Sequence, residues 1–253
     1  MHYQRDLTHR VRTLIFINAA CYNRTMTMQG FVLAQIIQQI SHIPLFAGLD
    51  AASLQELAQA SRWREYETGE VVVLEGEAHP SLYYLQYGWL KVVKVSPNGR
   101  EQILRFLEPG DTFNEIGVFA NQPNPATAIA LEPAGVWLIP RAALLRLLQE
   151  HPDFGQHIIT NMAERMLYLV SLVTDLSLRP VTGRLARLLL QDAVGDALER
   201  PCWYTQAELA ARLGTVPDVM QRALRTLESD GLIAVDRQQI RILDRPTLAE
   251  IAL

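Results

Sequence analysis

The 253-residue chain is expected to fold as an α+β protein: an N-terminal β-barrel or jelly roll, a long dimerisation helix, and a C-terminal winged helix-turn-helix. Three observations lead there. From Trp63 to Ile139, glycines at 69, 76, 88, 99, 110, 117 and 135 punctuate the short runs VVVL, SLYYLQ, WLKVVKV, EQILRFL and TAIAL. Short strands parted by turn residues at roughly 8–12-residue spacing read as a sandwich or barrel. Beyond Pro152, the residues Ile159, Met162, Met166, Leu169, Val173 and Leu176 recur at alternating steps of three and four. That is the a/d seam of two helices packed along their length. Lastly, TQAELAARLGTVPDVMQRALRTLESDGLIAVDRQQIRIL, from Thr205 to Leu243, reads as two short helices, a turn and a small hairpin.

Taken in order, residues 1–28 carry Arg5, Arg10, Arg12 and Arg24 around a short apolar patch, Leu14–Ile17. The patch is too short for the apolar core of a secretory signal. Met26 and Met28 stand just before a better periodic segment, so a poorly ordered extension or a start-site artefact is expected. Helices are expected over Gln29–Ile40 and over Ala51–Ala60, the second capped by Asp50. Residues 29–150 then form the first domain, with a helix over Pro140–Leu148 closing the strand-rich part. Pro152 opens the long helix of residues 151–178, and Leu167, Val170 and Leu172 widen its apolar face. Arg179–Pro180 breaks that helix, because proline lacks the N–H that would continue the ladder. Residues 179–253 make the last domain.

Within the last domain, Leu209, Ala210 and Leu213 give the first helix an apolar face, and Gly214 stops it with a residue that tolerates positive φ. Pro217 suits the first turn of the second helix, whose packed side is Met220, Ala223, Leu224 and Leu227. Gly231 ends it. Such a second helix enters a major groove, with residues near its N-terminus reaching base edges. Asp218, Gln221 and Arg222 are the expected readers, since a carboxylate, an amide and a guanidinium match cytosine, adenine and guanine respectively. Thr205, Gln206 and Thr215 are expected on phosphates.

Composition bounds the alternatives. A 49% hydrophobic and 20% charged chain is globular with ample core. The net charge of −4 does not advertise nucleic acid, and residues 179–253 hold ten Arg against ten Asp and Glu, so any positive stripe must be local. Lys91 and Lys94 are the chain's two lysines among 23 basic residues. Cys21 and Cys202 form no CxxC pattern, and no two of the six histidines stand at i, i+4, which argues against a zinc or iron–sulfur site. No apolar run reaches membrane-spanning length, and a cytoplasmic location is expected.

In this order, ETGEVVVLEGE (Glu67–Glu77), LEPGDTFNEIGVF (Leu107–Phe119), VTGRLARLLL (Val181–Leu190) and the helix-turn-helix resemble the CRP/FNR family of bacterial transcription regulators, over roughly Ile43 to Leu243. The resemblance implies a homodimer on a two-fold-related duplex site, RNA polymerase as a partner, and a barrel that answers a small-molecule or haem effector. It implies no enzyme. Cyclic-nucleotide-binding members cradle the phosphate with Gly-Glu, with Arg-Ser or Arg-Thr, and with a polar pair on the long helix. Here those positions read Asn114–Glu115, Pro125–Ala126 followed by Thr127, and Leu169–Val170. Cyclic AMP is therefore not the expected effector, since a buried phosphate without a cation is costly. Phe113–Ile116 offers haem no Cys or His, and no cofactor is assigned. Pro217 stands where many relatives carry Arg, and Asp218 replaces the commoner Glu, so the preferred operator should differ. The competing class is a nucleotide-type regulatory subunit controlling a partner enzyme, with the helical C-terminus as its docking domain.

Overall fold

The computed structural model describes residues 36–252. The expected extension and the first part of the helix expected over Gln29–Ile40 lie outside those residues. The chain divides into two units, residues 1–59 and 60–253. In the first, a helical turn over residues 36–41 and a 3-10 turn, Pro44–Phe46, lead to helix α1, Ala51–Ala60. Asp50 caps α1 as expected: its Oδ1 accepts from the Ser53 amide at 2.8 Å.

The second unit begins with the barrel. Its strands are β1 (Arg62–Tyr66), β2 (Val71–Val73), β3 (Ser81–Tyr87), β4 (Leu90–Val95), β5 (Glu101–Leu107), β6 (Thr112–Phe113), β7 (Thr127–Ala130) and β8 (Ala134–Pro140). They form two four-stranded antiparallel sheets, β1-β8-β3-β6 and β2-β7-β4-β5. Side chains alternate along a strand, so Tyr83 and Leu85 of β3 and Ala134 and Val136 of β8 all face inward. They meet Val72, Leu90, Leu107 and Ala128 from the other sheet. The β3–β4 turn requires Gly88, which has φ +87° and where a Cβ would lie 2.6 Å from the Pro133 carbonyl oxygen.

Helix α2 (Arg141–Glu150) follows, then α3 (Pro152–Leu178), 27 residues long with Pro152 in its first turn. Arg179 and Pro180 are extended, which ends α3 where the sequence places the break, and α4 (Val181–Asp192) begins at once. The helix-turn-helix is α5 (Gln206–Arg212) and α6 (Pro217–Ser229). The wing has one more strand than the hairpin expected from sequence. β9 (Ala197–Glu199) pairs with β11 (Gln239–Ile242), which pairs with β10 (Ile233–Val235). A final helix, α7 (Arg245–Ile251), is capped by the Asp244 side chain. Met220, Ala223, Leu224 and Leu227 of α6 are all buried, packed with Leu209 and Ala210 of α5 and Leu185 and Leu189 of α4. Each fully buried leucine contributes about 1.5–3 kcal/mol to holding the two helices in register.

Candidate nucleic-acid interface and effector cradle

Three elements set the helix-turn-helix. The Thr205 hydroxyl accepts from the Glu208 amide at 3.2 Å and so starts α5. Gly214, with φ +64°, turns the chain, and the Thr215 amide bonds to the Ala210 carbonyl at 2.9 Å. Pro217 then starts α6. Asp218 and Arg222 are exposed, as are Thr205 and Gln206, while Thr215 is half-buried. Two placements depart from the sequence reading. Gln221 is half-buried, and its Oε1 is buried without a hydrogen-bond partner. At 3.6 residues per turn, position 221 falls at the edge of the apolar stripe, whereas 225 falls beside 218 and 222. Arg225, which the sequence reading passed over, is exposed on that face. Counting the helical wheel outward from Met220 and Leu224 would have found it. Arg237 and Arg241 are likewise exposed on the wing.

The effector candidates divide differently. Asn114 has φ +71°, and its Nδ2 donates to the carbonyls of His79 and Ser81 at 2.8 Å each. That nitrogen braces the end of β6 to the start of β3, while Asn114 Oδ1 is buried with no hydrogen-bond partner. Thr127 Oγ1 accepts from the Glu75 amide at 3.1 Å, another structural tie. Glu115 is buried, and one carboxylate oxygen pairs with Arg165 of α3. The other oxygen is buried with no partner. The Arg165 guanidinium also donates to the Thr112 carbonyl. Burial pulls the Arg165 pKa below the ordinary arginine value, and the charge of Glu115 opposes that shift. Sequence reasoning missed this pair because the partners lie 50 residues apart. The available signal was Arg165 itself, the one arginine in residues 152–178, set between the seam residues Met162 and Leu169. Leu169 and Val170, the candidates on the long helix, are exposed along α3.

Of the seam residues, Ile159, Met166, Leu169 and Val173 are exposed, and Met162 is half-buried. Leu176 also has a second neighbour. It is half-buried, and its Cδ2 lies 2.3 Å from where a Cβ on Gly214 would stand, so it packs toward the turn of the helix-turn-helix.

This order of barrel, long helix and reading head is matched by known proteins. The family model for the cyclic nucleotide-binding domain matches residues 63–151, and that for the Crp-like helix-turn-helix domain matches residues 183–251. The cAMP-activated global transcriptional regulator CRP of Pasteurella multocida is 30% identical over 182 residues, covering 70% of this chain and 87% of that protein. The chain belongs to the CRP/FNR family. It is a DNA-binding transcription regulator of that family. The CRP-like cAMP-activated global transcriptional regulator of Mycobacterium tuberculosis is 27% identical over 214 residues, covering 82% of this chain and 96% of that one. The structure of FixK2 from Bradyrhizobium japonicum has the same fold, with a TM-score of 0.68 at 21% identity over 76% of this chain and 98% of its own. These CRP/FNR relatives are regulators rather than enzymes, which does not favour the enzyme-subunit alternative. Among the described residues, no helix is long and apolar enough to cross a membrane.

Proposed function

We propose that the chain acts as a homodimer that reads a two-fold-related duplex site with α6, under control of an effector other than cyclic AMP. The observation that carries the dimer is the row of α3. Ile159, Met166, Leu169 and Val173 are 63%, 66%, 48% and 62% exposed, a continuous apolar stripe that a second copy of the same helix would cover. A dimer supplies two reading heads, as a helix-turn-helix needs to span two half-sites about 34–36 Å apart. In each head, Asp218, Arg222 and Arg225 meet base edges or flanking phosphates, and Thr205, Gln206 and Thr215 fix the backbone register. Gln221 contributes from the edge of the same face. RNA polymerase is the partner at the promoter, in the cytoplasm.

The case against cyclic AMP rests on the cradle. Arg165, the cation that reaches it, is already engaged by Glu115 and the Thr112 carbonyl, and Pro125–Ala126 brings no charge. A phosphate there would have to compete with a buried carboxylate for one guanidinium. Selection of bound sequences from a random duplex pool, with light scattering on the same protein, tests the whole reading. Enrichment of an inverted repeat by a dimer is expected. A monomer, or a pool that stays random, would sink it.

A further inference from the structure

The reading head is not merely tethered to the barrel; it is docked on β4 and β5. Ala211 of α5 is buried against Val93 and Ile103. Trp203 lies 5.2 Å from Trp89 and 5.3 Å from Phe106, ring centre to ring centre, and Arg212 covers the Phe106 ring at 5.4 Å. The barrel also holds the backbone of the turn: Arg100 donates to the Gly214 carbonyl at 2.5 Å, and Gln102 to that of Arg212 at 3.4 Å. At the centre is Lys91 of β4, 8% exposed. Its ammonium donates to Glu101 of β5 at 2.7 Å and to Glu208 of α5 at 2.9 Å. In a chain that otherwise uses arginine, apart from Lys94, this position takes the compact ammonium that fits between two carboxylates. Burial alone would lower the Lys91 pKa, but the hydrogen bonds and charges of Glu101 and Glu208 outweigh it and raise the value.

We infer that Lys91 is the positioning residue that fixes the direction of the reading head on the barrel, and through it the half-site spacing the dimer accepts. The inference rests on the proposed two-fold reading. The docked surface of α5 is the side away from DNA: Thr205, Gln206, Asp218 and Arg222 all stay exposed while Glu208 and Ala211 are covered. Docking therefore leaves the reading residues free and removes only the freedom of the head to turn. With both heads fixed on barrels that are themselves fixed along α3, the distance and rotation between the two copies of α6 are set. A buried lysine that loses one carboxylate is left partly uncompensated, so the latch closes in one geometry.

The test uses the full chain with Lys91→Met, Glu208→Gln and the conservative Lys91→Arg. Each is titrated against the selected inverted repeat and against repeats with one base pair added to or removed from the spacer. The wild type should discriminate against altered spacers by about tenfold, and Lys91→Met and Glu208→Gln by roughly twofold or less. Sequence preference within each half-site should be unchanged, and Lys91→Arg should keep most of the spacing preference. Calorimetry supplies a second readout that needs no DNA. The wild-type barrel and head should unfold in one transition, and Lys91→Met should separate them. Unchanged spacing preference in both variants, or equal loss of affinity at every spacing, would overturn the inference. If the wild type binds no duplex, the DNA reading fails, and calorimetry still decides the latch: an unaltered single transition in Lys91→Met would refute it.

Discussion

Replacing Gly214 with alanine separates two costs that the structure places on one residue. Gly214 has φ +64°, a conformation that costs an L-residue about 1–2 kcal/mol. The new methyl would also meet Leu176 Cδ2 at 2.3 Å, Gln102 Oε1 at 2.7 Å and an Arg184 guanidinium nitrogen at 3.2 Å. All three are far ends of side chains and can yield, so the crowding should fall near the low end of overpacking, about 1 kcal/mol. The expected total is roughly 2–3 kcal/mol. Gly195 provides the control, because it has the same φ of +64° and nothing within 4 Å of a built Cβ. Gly195→Ala should show only the backbone part. Equilibrium urea unfolding of the two variants, compared through their midpoints, measures the difference. A Gly214→Ala protein no less stable than Gly195→Ala would refute the claim that Leu176 and the β5 face crowd this turn.

Other outcomes follow from the same geometry. Met166→Asp with Leu169→Asp puts like charges along the α3 stripe of both copies, and light scattering should find a monomer where the wild type is a dimer; a wild-type monomer at micromolar concentration would remove the premise. Cyclic AMP should bind no tighter than millimolar by calorimetry, worth about −4 kcal/mol, and a micromolar constant would mean that Arg165 can leave Glu115. Arg165→Met strands the buried Glu115 carboxylate and should cost about 3 kcal/mol in urea, whereas Arg165→Met with Glu115→Leu should recover most of it. If single and double variants are equally unstable, the pair is not the source of the cost.

What the sequence disclosed is what local spacing encodes. Leu209, Ala210, Gly214, Pro217, Met220 and Leu224 fall within sixteen positions, and each has a conformational or packing reason that can be stated without knowing the rest of the fold. The barrel strands and the break at Arg179–Pro180 were legible for the same reason. What stayed hidden depends on distant partners. Leu176 continues the three–four rhythm of α3 yet packs against Gly214, because the same helix face widens to serve both a partner helix and the reading head. Asn114 Nδ2 and Thr127 Oγ1 hold backbone groups between β2 and the start of β3, and no spacing rule reveals that. Arg165–Glu115 and Lys91–Glu208 join residues 50 and 117 positions apart, so only the folded chain brings them together. Gln221 and Arg225 differ by one turn on α6, and the choice between them needed the core direction.

The measurement closest to the central claim is a binding-site selection run in parallel on the wild type and Arg222→Ala, followed by titrations of the winning sites at two salt concentrations. Arg222 is exposed beside Asp218 near the start of α6, and Pro217 offers bases no donor, so Arg222 should carry the main base-specific contact of each half-site. Loss of a bidentate arginine–guanine pair typically removes ~1–3 kcal/mol of discrimination. The variant should therefore lose preference at one base pair per half-site and keep it elsewhere, with a salt slope close to that of the wild type. A phosphate clamp would behave otherwise, weakening all sequences alike and reducing the slope by about one per contact. If Arg222→Ala selects the same sequence as the wild type and loses affinity uniformly, α6 does not read DNA in the way assigned to it.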